Sequence, residues 1–562
     1  MPDDARFGPA DSVLRRGHGA HHAGRTPAGP GRAPAGPGQP GPHDHVRPHR
    51  TWPGRGAAAA RAHPTSPAGR CPRPVDPPTV RIQVAVPGEQ RGPSPRAAPG
   101  IGVLVTEPLT VVLPPVRQGG ERRAGLGEGL ALSISSGLGA LAGLASWLIA
   151  ARLLPQAQFG LAAAVVSAFM LVGGIAQLNL GLALLRWLPV AGRHVGTLVW
   201  RSLLVIMPLA GVAGLGYVLV VPALARTAAG PDGALPVGAA VFAAAAVSWG
   251  AFVVHDYVLV AIGRPWWTVW RNGLFAVVRI GLLIVLGSAL GAQGVVLSWA
   301  GPLVVWIAAG SLVLLVTVRR YARRSTGGTV PSRSEVVGFL GPTWLAQVGN
   351  TLLLNQVPLL VILRFGPEPG AAFFVAWQAT VVVETAATYF THSLSAGCAR
   401  APERVDELAS ASRRQMLMIF LPLLALGALL AGPGLSIFGP DYAATAEVLR
   451  LLLLGQAFRL FVVHELGVRT AVGRGVAYAR LHLSGTALVL LAVVLVPVAT
   501  GAGAGEALLP VAWGYVTVQV LCAVHVLLVR TLGRRRTARE LRTLRAAPRL
   551  PPQPPRPPAA RS

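Results

Sequence analysis

Lysine is missing from this sequence altogether; all 50 basic residues are arginine. Together with abundant alanine, glycine and proline, that bias reflects a GC-rich coding sequence. Cysteine is scarce. Cys71, Cys398 and Cys522 stand far apart with no C-x-x-C pair, so neither a disulfide framework nor a zinc site is expected. Charge is scarce too, at 13% of residues against about 25% in soluble domains. No phosphate-binding loop motif occurs, so ATP hydrolysis by this chain is not expected. The net charge of +28 lies largely in the polar ends and in short loops, and no base-stacking aromatic pattern accompanies it. Nucleic acid is therefore not an expected partner.

Apolar surface is what the chain has in quantity. Hydrophobic residues make up 52% of it, and the mean hydropathy is +0.53, which points to a membrane protein. A membrane-spanning helix needs about 20 apolar residues. Twelve runs qualify: 127–151, 158–185, 198–222, 236–262, 266–290, 293–318, 336–363, 370–396, 414–431, 444–471, 477–499 and 507–531. The intervening loops leave no room for a soluble catalytic domain, so no enzyme activity and no cofactor are expected.

The first hundred residues are different. They hold 20 prolines, 14 arginines and 7 of the 13 histidines, with no apolar run that could build a core. Residues 1–118 are expected to be a disordered extension. No signal peptide is expected in them, because no apolar stretch follows the basic start. Such a segment either touches anionic lipid or does nothing. A third reading is an over-early start assignment, since a more ordinary leader begins at Val105. The basic C-terminal tail, 537–562, is likewise expected to be disordered.

Arginine placement predicts the topology. With the N-terminus cytoplasmic, the five inner loops and their flanks carry 17 arginines, and the six outer loops carry three: Arg152, Arg226 and Arg364. The positive-inside rule then places both termini in the cytoplasm. An internal repeat accompanies this topology. Phe252-Val-Val-His255-Asp256 precedes Gly263-Arg264, and Phe461-Val-Val-His464-Glu465 precedes Gly473-Arg474. Likewise Arg152-Leu-Leu-Pro155 matches Arg364-Phe-Gly-Pro367. The expected fold is an all-α polytopic membrane protein of about twelve helices. Its two six-helix lobes, 119–325 and 326–536, are related by a parallel repeat and face a central site.

Ala150-Ala-Arg152-Leu-Leu-Pro155-Gln-Ala-Gln-Phe159-Gly160 resembles the junction of helices 1 and 2 in lipid-linked oligosaccharide flippases. These belong to the multidrug/oligosaccharidyl-lipid/polysaccharide (MOP) exporter superfamily. Asn179-Leu-Gly181-Leu-Ala-Leu-Leu-Arg186-Trp-Leu-Pro189 is similar to that family's end of helix 2, and both Gly-Arg turns resemble theirs. The resemblance spans residues 125–535. It implies alternating-access flipping of a polyprenyl-pyrophosphate-linked glycan for cell-surface polysaccharide, in the plasma (inner) membrane. The chain is expected to be a monomer. A chain that starts at Val105 is expected to restore surface polysaccharide in a deletion strain as well as the full chain does. Failure despite membrane insertion would show that the extension matters.

Charged residues at bilayer depth are costly and normally face a cavity or a partner. Arg279 lies 15 residues past Arg264, and Arg459 lies 15 before Arg474, so both sit about 22 Å from the inner loops. The planar arginine fork suits a pyrophosphate. Alternatively, each arginine pairs with a carboxylate such as Glu384 to hold helices together. Arg450 lies nearer the outer surface, as an exit contact or a snorkelling side chain. Glu384 is the candidate for coupling to H+ or Na+. His255-Asp256 and His464-Glu465 would relay protons or gate the inner mouth, or else cross-link helices. Gln347, Asn350, Asn355 and Gln356 suggest one wet face on the seventh span, though interhelical hydrogen bonds explain the same pattern. Trp266-Trp267 reads as an interfacial anchor. Two other functions compete. A glycan polymerase or ligase would need a large outer loop, and none exceeds about 15 residues. A cation-coupled drug exporter of the same superfamily would be expected to have an acidic or aromatic cavity.

Overall fold

The structure is a computed structural model that describes residues 139–325, 327–498 and 503–546. The N-terminal extension and the last 16 residues of the tail lie outside the described residues.

Among the described residues the chain is helical throughout. In order the helices are α1 (Gly139–Leu153), α2 (Gln156–Ala176), α3 (Leu180–Trp187), α4 (Val195–Val220), α5 (Pro222–Ala229), α6 (Leu235–Ala261) and α7 (Pro265–Arg324). The second half holds α8 (Arg333–Thr351), α9 (Val357–Phe365), α10 (Pro367–Arg400), α11 (Val405–Leu429), α12 (Ala431–Ser436), α13 (Pro440–Ala443), α14 (Ala446–Ala471), α15 (Gly475–Leu495) and α16 (Ala504–Ala546). A π-helical turn, Leu352–Gln356, joins α8 to α9 into one span.

Nine helical segments among the described residues are long and apolar enough to cross a bilayer. The 60-residue α7 is one of them, and Gly291 (φ +58°) breaks it into two crossings. The charged but buried α14 and the described part of α1 complete twelve. The chain is an all-α polytopic membrane protein with the span order that the apolar runs predict.

Local chemistry explains where the helices start and stop. Proline occupies the first turn of α5, α6, α7, α9, α10 and α13, where its missing N–H costs nothing. Ser332 and Glu335 close a reciprocal capping box at the start of α8. The two Gly-Arg turns are the same device used twice. Gly263 (φ +75°) and Gly473 (φ +70°) are left-handed. The Arg264 amide donates to the Leu259 carbonyl at 2.8 Å, and the Arg474 amide donates to the Arg469 carbonyl at 2.8 Å. Each is a six-to-one helix stop that only glycine satisfies without strain. Several boundaries differ from the sequence reading, and α2 stops at Ala176, nine residues before the predicted end of its span at 185. α11 starts at Val405, nine residues before the predicted span, because Asp406 and Glu407 favour a helix N-terminus. α16 runs to Ala546, ten residues into the predicted tail, through a stretch rich in arginine and leucine, both good helix formers.

Packing repeats between the halves. α6 packs on α2, α4 and α7, and α14 packs on α10, α11 and α16. α2 and α10 meet across the centre. A Cβ on Gly160 would run into the Pro367 carbonyl, so the crossing depends on glycine there. Around it, Trp147, Phe159, Phe374 and Tyr442 form edge-to-face pairs with centroids 4.7 to 6.1 Å apart. Arg152 adds a link, donating to the carbonyls of Ile437 (2.7 Å) and Ser436 (3.3 Å) in the other half. On the opposite face, where the Gly-Arg turns lie, α2 ends in the left-handed pair Leu178 and Asn179. Asn179 Nδ2 donates to the Thr343 carbonyl (3.1 Å), and Trp344 Nε1 donates to the Ile175 carbonyl (3.0 Å).

The Gly-Arg face is the predicted cytoplasmic face, and Ser325, at the end of α7, sits on it. A Ser325→Cys variant is expected to resist a membrane-impermeant maleimide in intact cells and to react after permeabilisation. Labelling of intact cells would invert the topology.

Candidate functional site

α1, α2, α6 and α7 of the first half and α8 and α10 of the second enclose a cavity of about 490 Å3. The aromatic cluster around Trp147 and Phe374 forms its end toward the Arg152 face. From there the cavity runs toward the Gly-Arg face as far as Gln177 and Tyr257. Its size is ordinary for a site that takes a small molecule or the head of a larger one.

The carboxamide and charged groups of the wall come from both halves: Gln177, Asn272 and Arg279 from the first, and Gln347, Asn350, Asn355 and Gln378 from the second. Among the described lining residues Arg279 is the one charged side chain, and there is no carboxylate. Arg279 is 5% exposed. Its guanidinium carbon sits 4.0 Å from the centroid of the Trp299 ring and 5.6 Å from that of Phe275. Its Nε has no hydrogen-bond partner among the described residues. A buried guanidinium held by a ring face but by no anion keeps its donors free for a ligand. Gln177 Oε1 is similarly buried and unpartnered among the described residues.

Arg459 has the same depth in sequence and a different environment. It is 1% exposed, inside the second half, and is not among the cavity-lining residues. Its Nη2 lies 2.9 Å and its Nε 3.1 Å from Glu384 Oε1. Glu384 Oε2 accepts from Gln456 Nε2 (2.9 Å), and Gln456 Oε1 accepts from the Tyr515 hydroxyl (2.9 Å). The carboxylate is thus saturated by a chain that ties α10 to α14 and α16. Arg450 is half exposed near the start of α14 and pairs with Glu447 at 2.9 Å.

The two His-acid pairs lie outside the cavity. Asp256 pairs with Arg271 (3.0 Å) and accepts from Asn272 (3.0 Å). His255 Nε2 is 3.3 Å from the Ser311 hydroxyl and borders a separate side crevice with Trp267, Trp270 and Trp306. His464 Nε2 is 2.9 Å from the Ala409 carbonyl. Glu465 binds Arg469 through Oε1 (3.0 Å) and Arg530 through Oε2 (2.6 Å). In both halves these pairs cross-link helices near the Gly-Arg face.

The polar face expected on the seventh span is largely in the cavity: Gln347, Asn350 and Asn355 line it. Gln356 instead accepts from the Tyr217 hydroxyl at 3.0 Å, outside it. Sequence reasoning missed Gln177, Gln378 and the aromatic wall of Trp147, Trp249, Trp299 and Phe374. Gln177 could have been found as an amide deep in the run 158–185, 19 residues past Gln158 at that run's start and two before Asn179. The aromatics carry no such signal.

No protein-family model matches the chain, and no curated protein does. Similar solved structures exist. One is the inward-facing conformation of a multidrug resistance MATE family transporter of the MOP superfamily. It is 18% identical over 74% of this chain and 98% of that one, with a TM-score of 0.49. Another is a MOP superfamily transporter from Pyrococcus furiosus, 18% identical over 75% and 97%, with a TM-score of 0.49. A third is a MATE in complex with MaL6, 19% identical over 75% and 97%, with a TM-score of 0.48. At these identities and TM-scores the likeness assigns neither a family nor a function to this chain.

Proposed function

We propose that this chain is a plasma-membrane transporter that flips a polyprenyl-pyrophosphate-linked oligosaccharide for surface polysaccharide assembly. In this reading the two halves give alternating access to the central cavity, and Arg279 receives the pyrophosphate. The observation that carries it is the charge of the cavity: one buried arginine with a free Nε, carboxamides from both halves, and no carboxylate among the described lining residues. Such a wall attracts an anion at one point and offers donors and acceptors to hydroxyls around it. Arg459 and Glu384 are assigned to holding α10 against α14 rather than to substrate or ion. Coupling to H+ or Na+ then rests on other groups, and both termini are placed in the cytoplasm.

A second reading, export of a lipophilic cation, is favoured by the aromatic wall alone, since ring faces attract cations. One reconstitution separates the two. Vesicles containing the protein and a fluorescent polyprenyl-pyrophosphate disaccharide should expose the label to an impermeant quencher far faster than protein-free vesicles, with no movement of ethidium. Ethidium transport without flipping of the labelled lipid would overturn the proposal.

A further inference from the structure

The repeat is broken at one place in a way that leaves positive charge facing lipid. In the first half Arg271, seven residues past Arg264, pairs with Asp256. In the second half Arg480, six residues past Arg474, stands within one residue of the equivalent position. The matching carboxylate, Glu465, is already taken at both oxygens by Arg469 and Arg530. Arg480 is exposed and has no ion pair among the described residues. It lines a depression of about 530 Å3 between α15 and α16 with Arg469, Ser484 and His525, and no carboxylate is among the lining residues described.

The surroundings of this depression are apolar. Leu488 and Leu491 on α15 and Leu521 and Leu528 on α16 are all exposed, as on a face that meets acyl chains. Counting from Arg474 puts Arg480 about 9 Å along the helix, within reach of the headgroup layer. A lone arginine there needs either water or a counter-anion. A basic pocket between spans on the side of the Gly-Arg turns has the charge and position to take the phosphate of a membrane lipid.

We infer that Arg480, His525 and Ser484 form a site for the phosphodiester of an anionic glycerophospholipid, distinct from the central cavity. The arginine fork takes the phosphate oxygens, the histidine and serine donate alongside, and the acyl chains lie against the exposed leucines. The site needs neither the central cavity nor transport, so it stands or falls independently of the proposed function.

Native mass spectrometry of the full chain, released from vesicles of equal phosphatidylglycerol and phosphatidylcholine, tests it. Wild type should retain phosphatidylglycerol preferentially. Arg480→Gln should lower that preference about fivefold, the effect of one basic residue near the membrane surface, and the double variant with His525→Gln should lower it further. Arg480→Lys should keep most of it, and Arg320→Gln, an exposed arginine elsewhere, should leave it unchanged. If Arg480→Gln fails to fold, His525→Gln alone gives the same reading. Unchanged preference in the folded variants, an equal loss in Arg320→Gln, or displacement of the lipid by inorganic phosphate would each overturn the site.

Discussion

Arg279→Ala is expected to lower transport of the proposed pyrophosphate-linked substrate by about 100-fold or more, with no loss of thermal stability. The magnitude follows from losing two charge-assisted hydrogen bonds, each worth roughly 1.5–3 kcal/mol. The stability forecast follows from geometry. Arg279 has no carboxylate partner among the described residues, so its removal strands no opposite charge. It relieves a buried cation held only by ring faces, a contact worth about 2 kcal/mol at most sites of this kind. Arg279→Lys should recover part of the rate, because the charge is kept and the fork is lost. Transport and melting temperature, measured on the same purified variants, decide the matter. An Arg279→Met variant that transports at the wild-type rate would remove this residue from the substrate site. A variant that melts like a damaged core would show a structural role instead.

The opposite pattern is expected for Glu384→Gln. It leaves the Arg459 guanidinium buried without its counter-charge, at a cost of about 3–5 kcal/mol. Arg459→Gln should cost about as much, because it strands the carboxylate. The double change Glu384→Gln with Arg459→Gln leaves no unpaired charge, and Gln456 and Tyr515 remain to bond with the amides. It should therefore melt well above either single variant and transport near the wild-type rate. The coupling energy read from the four proteins is the measurement. A double variant that is stable but inactive would return Arg459 or Glu384 to the transport chemistry.

These two arginines also show how far the sequence could be read. Counting from the Gly-Arg turns placed both near mid-depth, because helical rise is constant and the turns are fixed by left-handed glycines. Counting could not say which one meets a cavity. The difference is Glu384, 75 residues away along the chain from Arg459 and joined to it only by the packing of α10 on α14. Span number and order were legible from apolar runs, and the repeat was legible from two short motifs. The start of α11 was not, since its polar first turns read as a loop until its acidic residues are seen as helix-starting charges. Nor was the aromatic wall: α6, which carries Trp249, is about equally apolar around its axis, so periodicity cannot mark the side that faces the cavity.

The contacts that join the two halves on the Arg152 face are apolar or made to backbone. Aromatic edges and faces, a glycine crossing and an arginine held by the carbonyls of Ser436 and Ile437 contain no acid–base pair. Added salt therefore screens no ion pair between these contacting groups. What such a seam does respond to is shape. Any event that separates α2 from α10 must withdraw interlocked rings and a backbone-to-backbone crossing together, so the seam works as a mechanical catch rather than a chemical lock. Under the proposed function, a cargo that wedges the cavity below it would hold the lever.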